Sequence, residues 1–290
     1  MTVPETKLLV GLIGAGIQLS LTPAMQEQEA RHHGLRLHYQ LIDLARTPDA
    51  MGQWPSLLPT LLTSARLMGF AGLNITYPCK QAVVPLLDEL SDEAAAMGAV
   101  NTVVIRKGRL VGHNTDGSGW AWGLRRTLPG ADLGHLVLLG AGGAGSAIAH
   151  AVLKLGAQHL CVVDSDAARA QALAAALNAR FGGRAEAFTD VSLACRGATG
   201  LIHATPTGMA NQPGLPLDAA LLRPGLWVSD AVYFPRQTEL LATARAMGCA
   251  VVDGGAMAVG QAVGAFELFT GQEANAERMA QHFERLVADR

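Results

Sequence analysis

Aromatic residues and charge are both scarce in this chain of 290 residues: Phe, Trp and Tyr make up 5% and Asp, Glu, Lys and Arg only 16%. A chain so poor in charge and half hydrophobic is no solvated, disordered tail. It has apolar surface for sizeable cores, and its length suits two α/β domains better than one. Neither sign of charge is in excess. With 22 Lys and Arg against 24 Asp and Glu the formal net charge is −2, so no basic field draws in nucleic acid and no polybasic patch binds an anionic membrane. A small anionic ligand must then be held by local groups. Only four cysteines occur, Cys79, Cys161, Cys195 and Cys249, with no C-x-x-C pair and no histidine at metal-ligand spacing. They read as buried or incidental thiols, and no metal is expected. The start, MTVPETKLLVGLIG, carries an acidic residue and no long apolar core of a signal peptide, and no run of about twenty apolar residues is free of breakers. The chain reads as cytoplasmic and reduced, with no membrane partner.

What is present is an alternation of strand and helix. KLLVGLIG, LHYQLIDL and FAGLNIT read as strands, the residues from Pro23 and the stretch SLLPTLLTSARL as helices, and Pro78 as the opening of a helix KQAVVPLLDEL. NTVVIR and RLVGHNT form a hairpin turning at Lys107-Gly108. From about residue 118 a regular βαβ pattern takes over. HLVLLG, HLCVVD, GLIHA, LWVSDAV and CAVVDG are strands of one parallel sheet, with helices GGAGSAIAHAVLKLG and AARAQALAAALNARFG between the early ones. The expectation is an α/β chain of two domains: an open α/β domain over 1–117, a Rossmann-type doubly wound parallel sheet over 118–256, and C-terminal helices over 257–290 that return to the first domain.

The glycine cluster Gly140, Ala141, Gly142, Gly143, Ala144 and Gly145 lies directly between a strand and a small-residue helix. Gly140 permits a tight turn, Gly142 lets the backbone approach a pyrophosphate, and Gly145 allows close helix packing. The phosphates would sit at the helix N-terminus, where N–H groups and the dipole favour negative charge. A purely structural turn is the plain alternative. The next strand ends in Asp164, whose carboxylate can accept from both ribose hydroxyls and repels a 2′-phosphate. Ser165 and Asp166 add no positive charge and the nearest arginine is Arg169, a balance that favours NAD over NADP. Capping the following helix is the other use of an aspartate there. Gly14-Ala15-Gly16 also follows a strand, but Leu19 stands where the third glycine belongs, and it is not read as a nucleotide site.

Further polar groups stand at strand ends. Thr22 fits a helix N-cap with Pro23 at the first helical position; with Ser20 it also offers two hydroxyls to a carboxylate. In NITYPCK, Thr76 ends a strand and Lys80 falls in the first turn of the expected helix, where the dipole disfavours a cation by roughly 0.3–1 kcal/mol. A local rule broken at such a junction points to function, here proton transfer, against the alternative of a solvated lysine. Asp116-Gly117 is an ordinary turn signal, yet an Asp116 facing Lys80 would make a proton-handling pair. Asn101, opening the hairpin, has an amide that both donates and accepts. Thr205 and Tyr233 follow later strands, Gln261 begins the last helical section, and His203 reads as a hydrogen-bonded loop histidine without chemistry.

In this order and at these spacings, SLTP, NITYPCK, AVNTVV, GHNTDG, GAGGAG, ATPTGM, the segment 230–235 and GQAVGAFELF resemble the shikimate dehydrogenase family, with its quinate/shikimate dehydrogenases, over almost the whole chain. The resemblance implies an NAD-dependent enzyme, monomer or homodimer, that moves a hydride between C3 of shikimate or quinate and the nicotinamide. It implies Lys80 and Asp116 as the catalytic pair, Ser20, Thr22 and Tyr233 at the substrate carboxylate, and Thr76, Asn101 and Gln261 at the ring hydroxyls. Thr205 and Gly254 join the glycine turn and Asp164 on the cofactor side. Three single residues and one motif depart from the common biosynthetic pattern: Thr22 for Ser, Leu19 for His, His203 for Asn, and Asp164-Ser165-Asp166 for an Asn-Arg-Thr motif that grips the NADP phosphate. The last places the chain nearer the NAD-using quinate/shikimate branch. A strictly shikimate- or aminoshikimate-specific enzyme and a non-catalytic binding or regulatory protein are the rival readings; Lys80 and Asp116 argue against the second.

Overall fold

The computed structural model describes residues 7–46 and 54–288; residues 1–6, read above for a leader, lie outside them. The chain divides into two compact units, Met1–Thr115 with Ala262–Arg290, and Asp116–Gln261. Each is built on its own six-stranded sheet.

The first unit contains β1 (Lys7–Gly14), α1 (Thr22–His32), β2 (Arg36–Asp43), α2 (Leu58–Leu67), β3 (Gly72–Ile75), β4 (Glu89–Leu90), α3 (Asp92–Met97), β5 (Thr102–Arg106) and β6 (Arg109–His113). Its sheet runs β2-β1-β3-β5-β6-β4, with β1, β2 and β3 parallel and β5 antiparallel both to β3 and to its hairpin partner β6. The hairpin turns where expected, Lys107 and Gly108 both having positive φ (51° and 77°), the requirement of a two-residue turn that matches strand twist. Leu58, Leu62 and Ala65 of α2 share one helical face and pack against Ile13, Leu73 and Ile75. On the other face Ala30, Ala265, Phe266 and Phe269 cover Val10, Leu12 and Tyr39. Burial on both faces explains why β1 and β3 read as continuous apolar runs.

The second unit contains α4 (Asp116–Thr127), β7 (His135–Leu139), α5 (Gly143–Lys154), β8 (His159–Val163), α6 (Ala167–Phe181), β9 (Ala185–Phe188), α7 (Val191–Ala194), β10 (Gly200–His203), β11 (Trp227–Asp230), α8 (Glu239–Ala246), β12 (Ala250–Val252) and the start of α9 (Gly254–Thr270). The order β12-β11-β10-β7-β8-β9, parallel throughout, is doubly wound, its direction reversing between β7 and β10. Leu136, Leu138, Leu160 and Val162 face one core with residues of α4, α5 and α6, and Val137, Leu139, Cys161 and Val163 face another.

Three local expectations are corrected. The segment after Pro78 is no α-helix: turns lead to a single 3₁₀ turn, Val84–Leu86. Pro85 lies inside the expected helix and has no N–H to donate to Gln81, which breaks an α-helical ladder at that point. Lys80 is therefore not in the first turn of an α-helix, and the dipole argument for it falls. Thr22 is not an N-cap; α1 starts at Thr22, Leu21 holds the cap position without a side-chain bond, and the Ser20 Oγ accepts the Thr22 N–H at 3.3 Å. Asp116-Gly117 is no turn but the first residues of α4, where a carboxylate is favoured by the dipole. No described helix is long and apolar enough to cross a membrane.

After α9 the chain closes with α10 (Ala276–Ala288), which is tied to α1 by a buried carboxylate. Glu29, 1% exposed, accepts from the Arg278 Nε at 2.8 Å, from the Asn275 backbone N–H at 2.8 Å and from His33 at 3.1 Å. Burial raises its pKa, but these bonds outweigh that and hold it below its ordinary 4.5. Because the folded-state value is depressed, the stabilisation is present above the ordinary value and is lost as pH falls through the folded one. Arg278→Ala leaves the buried carboxylate without its guanidinium partner and is expected to cost about 3 kcal/mol at neutral pH, with the difference from wild type shrinking below pH 4.5; urea denaturation at pH 7 and pH 3 (about one unit below the carboxylate's ordinary range) checks both.

Candidate active site

In the first unit the expected substrate residues gather at the carboxyl ends of β1 and β3. The Thr76 N–H bonds Ile13 O at 2.9 Å, and Ala15 N bonds Tyr77 O at 2.9 Å. Gly14 makes room for this: a Cβ there would stand 2.2 Å from Thr76 Cγ2. Lys80 is positioned through its backbone, its carbonyl accepting from Val100 N at 2.9 Å. Because β5 runs antiparallel to β3, Asn101 at its start lies beside the end of β3, where its carbonyl accepts from Ile75 N at 2.8 Å. The Asn101 side chain is buried. Its Nδ2 donates to Thr115 Oγ1 at 2.9 Å, and its Oδ1 accepts from Thr115 N and from Thr102 Oγ1, each at 2.9 Å. Asn74 extends the network, donating to Thr102 Oγ1 at 3.0 Å and accepting from the Tyr39 hydroxyl at 2.7 Å. Ser20 and Thr22, both half-buried, lie in the β1–α1 connection and at the first residue of α1.

In the second unit the glycine turn has the geometry its sequence predicts. Gly140 has φ +100°, and a Cβ there would meet Ala204 O at 2.8 Å and Thr205 Cγ2 at 3.0 Å. A Cβ on Gly145 would stand 1.9 Å from Gly140 O. Gly142 differs: it caps α5 with nothing within 4 Å of its missing side chain, which leaves open the approach a pyrophosphate needs at the helix N-terminus. Gly143, Ala144 and Gly145 form the first turn of α5, whose N–H groups have no partner within the helix. These residues fit a dinucleotide. Asp164 is bound to this turn: its Oδ2 accepts from Ala141 N at 2.8 Å and its Oδ1 from Asp166 N at 2.9 Å. It does not cap α6; Asp166 does, accepting from Ala168 N and Arg169 N. Arg169 Nη1 stands 3.9 Å from Asp164, and its Nη2 3.9 Å from Asp166.

His203 is corrected from a loop residue to the fully buried last residue of β10. Its Nδ1–H donates to Asp230 Oδ1 at 2.9 Å and its Nε2 pairs with the Thr205 hydroxyl. Asp230 also accepts from Val232 N at 2.9 Å and from Thr238 Oγ1 at 2.7 Å. The histidine thus positions Thr205 beside Gly140 and anchors the start of the segment that carries Tyr233, which is 45% exposed. Gly254 opens α9 against that segment, where a Cβ would lie 2.5 Å from Val232 O. Gln261 is held where α9 crosses α4, a Cβ on Gly119 falling 2.4 Å from the Gln261 backbone N. The paired Asn74, Thr102, Thr115 and Asp230 were not singled out from sequence; only their places at strand ends pointed to them.

A doubly wound parallel sheet with a glycine turn after its central strand, joined in one chain to a second α/β unit with a polar carboxyl edge, has the architecture of a dinucleotide-binding protein. The comparisons narrow the class. Residues 12–103 match the shikimate dehydrogenase substrate binding domain and residues 256–282 the shikimate 5′-dehydrogenase C-terminal domain. A shikimate dehydrogenase (NADP(+)) of Streptomyces avermitilis is 57% identical over 95% of this chain and 94% of its own. A quinate/shikimate dehydrogenase (NAD(+)) of Corynebacterium efficiens is 50% identical over 95% and 97%. The quinate dehydrogenase of Corynebacterium glutamicum in complex with NAD superposes with a TM-score of 0.87 at 45% identity, covering 97% of this chain and all (100%) of that one. The chain belongs to the shikimate dehydrogenase family and is an oxidoreductase.

The two glycines should separate binding from folding. Gly142→Val places its side chain in open space, so the melting temperature should hold while dinucleotide affinity falls about tenfold or more. Gly145→Val drives a side chain into Gly140 O and should lower the melting temperature as well. Calorimetric titration and thermal unfolding of both variants measure this.

Proposed function

We propose that the chain is an NAD-dependent quinate/shikimate 3-dehydrogenase that interconverts the C3 alcohol of either substrate with the corresponding ketone, as a cytoplasmic monomer or homodimer. The observation that carries the cofactor preference is the pair of carboxylates, Asp164 and Asp166, at the end of β8, set against the single guanidinium of Arg169, 3.9 Å from each. A 2′-phosphate adds about two negative charges. One unit charge against another at about 4 Å is worth about 1 kcal/mol in water and about 4 kcal/mol at an effective dielectric of 20, and Arg169 offsets only one of the two carboxylates. Relatives named for NADP and for NAD stand at 57% and 50% identity, so the preference rests on these residues and not on kinship.

In this reading the hydroxyls of Ser20 and Thr22, with Tyr233, hold the substrate carboxylate. Thr76, Asn101 and Gln261 hold ring hydroxyls, with Asn101 fixed in advance by Thr115 and Thr102. Lys80 takes the C3 hydroxyl proton in the oxidising direction and returns it in the other; Asp116 orients Lys80 and a neighbouring hydroxyl. The turn 140–145 and Thr205 hold the pyrophosphate side of the cofactor and Asp164 its ribose. The nicotinamide, when bound, supplies the hydride acceptor.

Initial rates with quinate and shikimate against NAD and NADP test this reading. NAD should be favoured about tenfold or more with both substrates. A preference for NADP would overturn the cofactor assignment, and activity with shikimate alone would establish the shikimate-specific enzyme instead. Lys80→Ala should lower kcat by about 10²–10⁴-fold with melting temperature and NAD affinity unchanged; an unaltered kcat removes Lys80 from the chemistry. Asp164→Asn keeps an acceptor for Ala141 N but loses the charge, so the NAD-to-NADP ratio of kcat/KM should drop about tenfold.

A further inference from the structure

The amino edge of the second unit's sheet carries a cluster that the dehydrogenase reading leaves unused. His135 and His159 are the first residues of β7 and β8 and pair in register; Glu186 of β9 pairs with Cys161. Cys161, two residues beyond His159, projects to the same face. Strand register and the two-residue period thus bring side chains together from three strands, correcting the expectation that no histidine partners a cysteine. The Nε2 atoms of His135 and His159 stand 3.3 and 3.4 Å from Cys161 Sγ, and His159 Nε2 stands 3.6 Å from Glu186 Oε2. The ligand atoms of His135, His159 and Cys161 lie within 4.8 Å of one another. A tetrahedral ion bonded at about 2.1 Å to nitrogen or oxygen and about 2.3 Å to sulfur has ligand–ligand edges of about 3.4–3.6 Å. The separations of Cys161 Sγ from the two imidazoles, and of His159 from Glu186, are close to those of neighbouring ligands in such a shell.

We propose that His135, His159 and Cys161, with Glu186 as fourth donor, form a zinc site that clamps β7, β8 and β9 together. The donor set is borderline-soft, which suits zinc and not the all-oxygen shells of magnesium or calcium. Two uncharged imidazoles, a thiolate and a carboxylate balance a divalent cation. A backbone hydrogen bond to Ala194 steadies the His135 ring, as an outer partner does for a metal-bound histidine. The Cys161 thiol gives up its proton to solvent when it binds the cation, one proton per ion bound. His159 and Glu186 are 40% and 61% exposed and give the ion a way in.

The test uses untagged protein stripped with a chelator, then titrated with zinc in competition with a chromophoric chelator and with cobalt(II) by optical spectroscopy. A single equivalent of either metal, a thiolate-to-cobalt charge-transfer band, a zinc-dependent rise in melting temperature and unchanged dehydrogenase rates are expected. Cys161→Val should abolish the band. His159→Gln, at the exposed rim, should weaken zinc at least tenfold while the metal-free melting temperature holds, and so carries the test should the valine variant fail to fold. Failure to retain zinc against the chelator, a cobalt spectrum without the sulfur band, or zinc affinity unaltered in His159→Gln would reduce the cluster to thiol–imidazole hydrogen bonds and overturn the site.

Discussion

A contact between two stretches of backbone, Gly140 O against Gly145, sets the geometry of the second unit. With 1.9 Å between that oxygen and any Cβ at 145, no rotamer or small shift admits a side chain, because both partners are main chain fixed at the end of β7 and the start of α5. The first turn of α5 is pressed against the strand end, and the neighbours take their positions from there. Ala141 N is bound by Asp164 from β8. Ala204 and Thr205 close on Gly140 from β10, and His203 joins Thr205 to Asp230 of β11. Three strand ends are thereby referred to one turn.

The first unit reaches a comparable precision by different means. Its carboxyl edge is held by a buried chain of side-chain hydrogen bonds, Tyr39 to Asn74 to Thr102 to Asn101 to Thr115. In such surroundings a polar group that loses its partner costs about 1–3 kcal/mol, so the members restrain one another and fix the plane of the Asn101 amide. Burial holds the Tyr39 phenol well above its ordinary pKa, which keeps it a donor to Asn74. Under the proposed function, a site that must distinguish hydroxyl positions on a small ring gains from amides and hydroxyls whose orientation is set before the ligand arrives.

The parts legible in sequence are those where local chemistry and tertiary structure ask for the same residues. The Lys107-Gly108 turn, the strand–glycine–helix unit at 135–154 and the apolar strands on either side needed nothing beyond spacing and backbone preference. The helix expected after Pro78 failed because its apolar positions have a helical period while Pro85 removes a hydrogen bond from its middle, and the backbone wins. Asp116-Gly117 has turn composition but is drawn into α4, where Trp120 is buried and donates to Ser229 Oγ at 3.0 Å, a contact 109 residues away in sequence that no local pattern reports. β4, two residues long, falls below the length at which alternation can be read, and β9, Ala-Glu-Ala-Phe, has no β-branched residue to mark it. His203 and Asp230 became a pair only once β10 and β11 were neighbours in register. The same holds for His135 and Cys161, which no sequence spacing connects.

Those last two examples lie at opposite edges of one sheet, and strand direction gives the edges opposite electrostatic character. In a parallel sheet crossed by helices, the carboxyl ends of the strands meet helix N-termini and their exposed N–H groups, and the amino ends meet helix C-termini and their carbonyls. The glycine turn and α5 put an anion-favouring site at the first edge. At the other, His135 opens β7 about 16 Å away along the strand and is hydrogen-bonded to the backbone of Ala194, the last residue of α7, in surroundings where the backbone presents oxygen. Anion recognition at one edge and cation recognition at the other both follow from the polarity of the βα unit, and a residue that serves one is therefore separated from the other by the length of the strand.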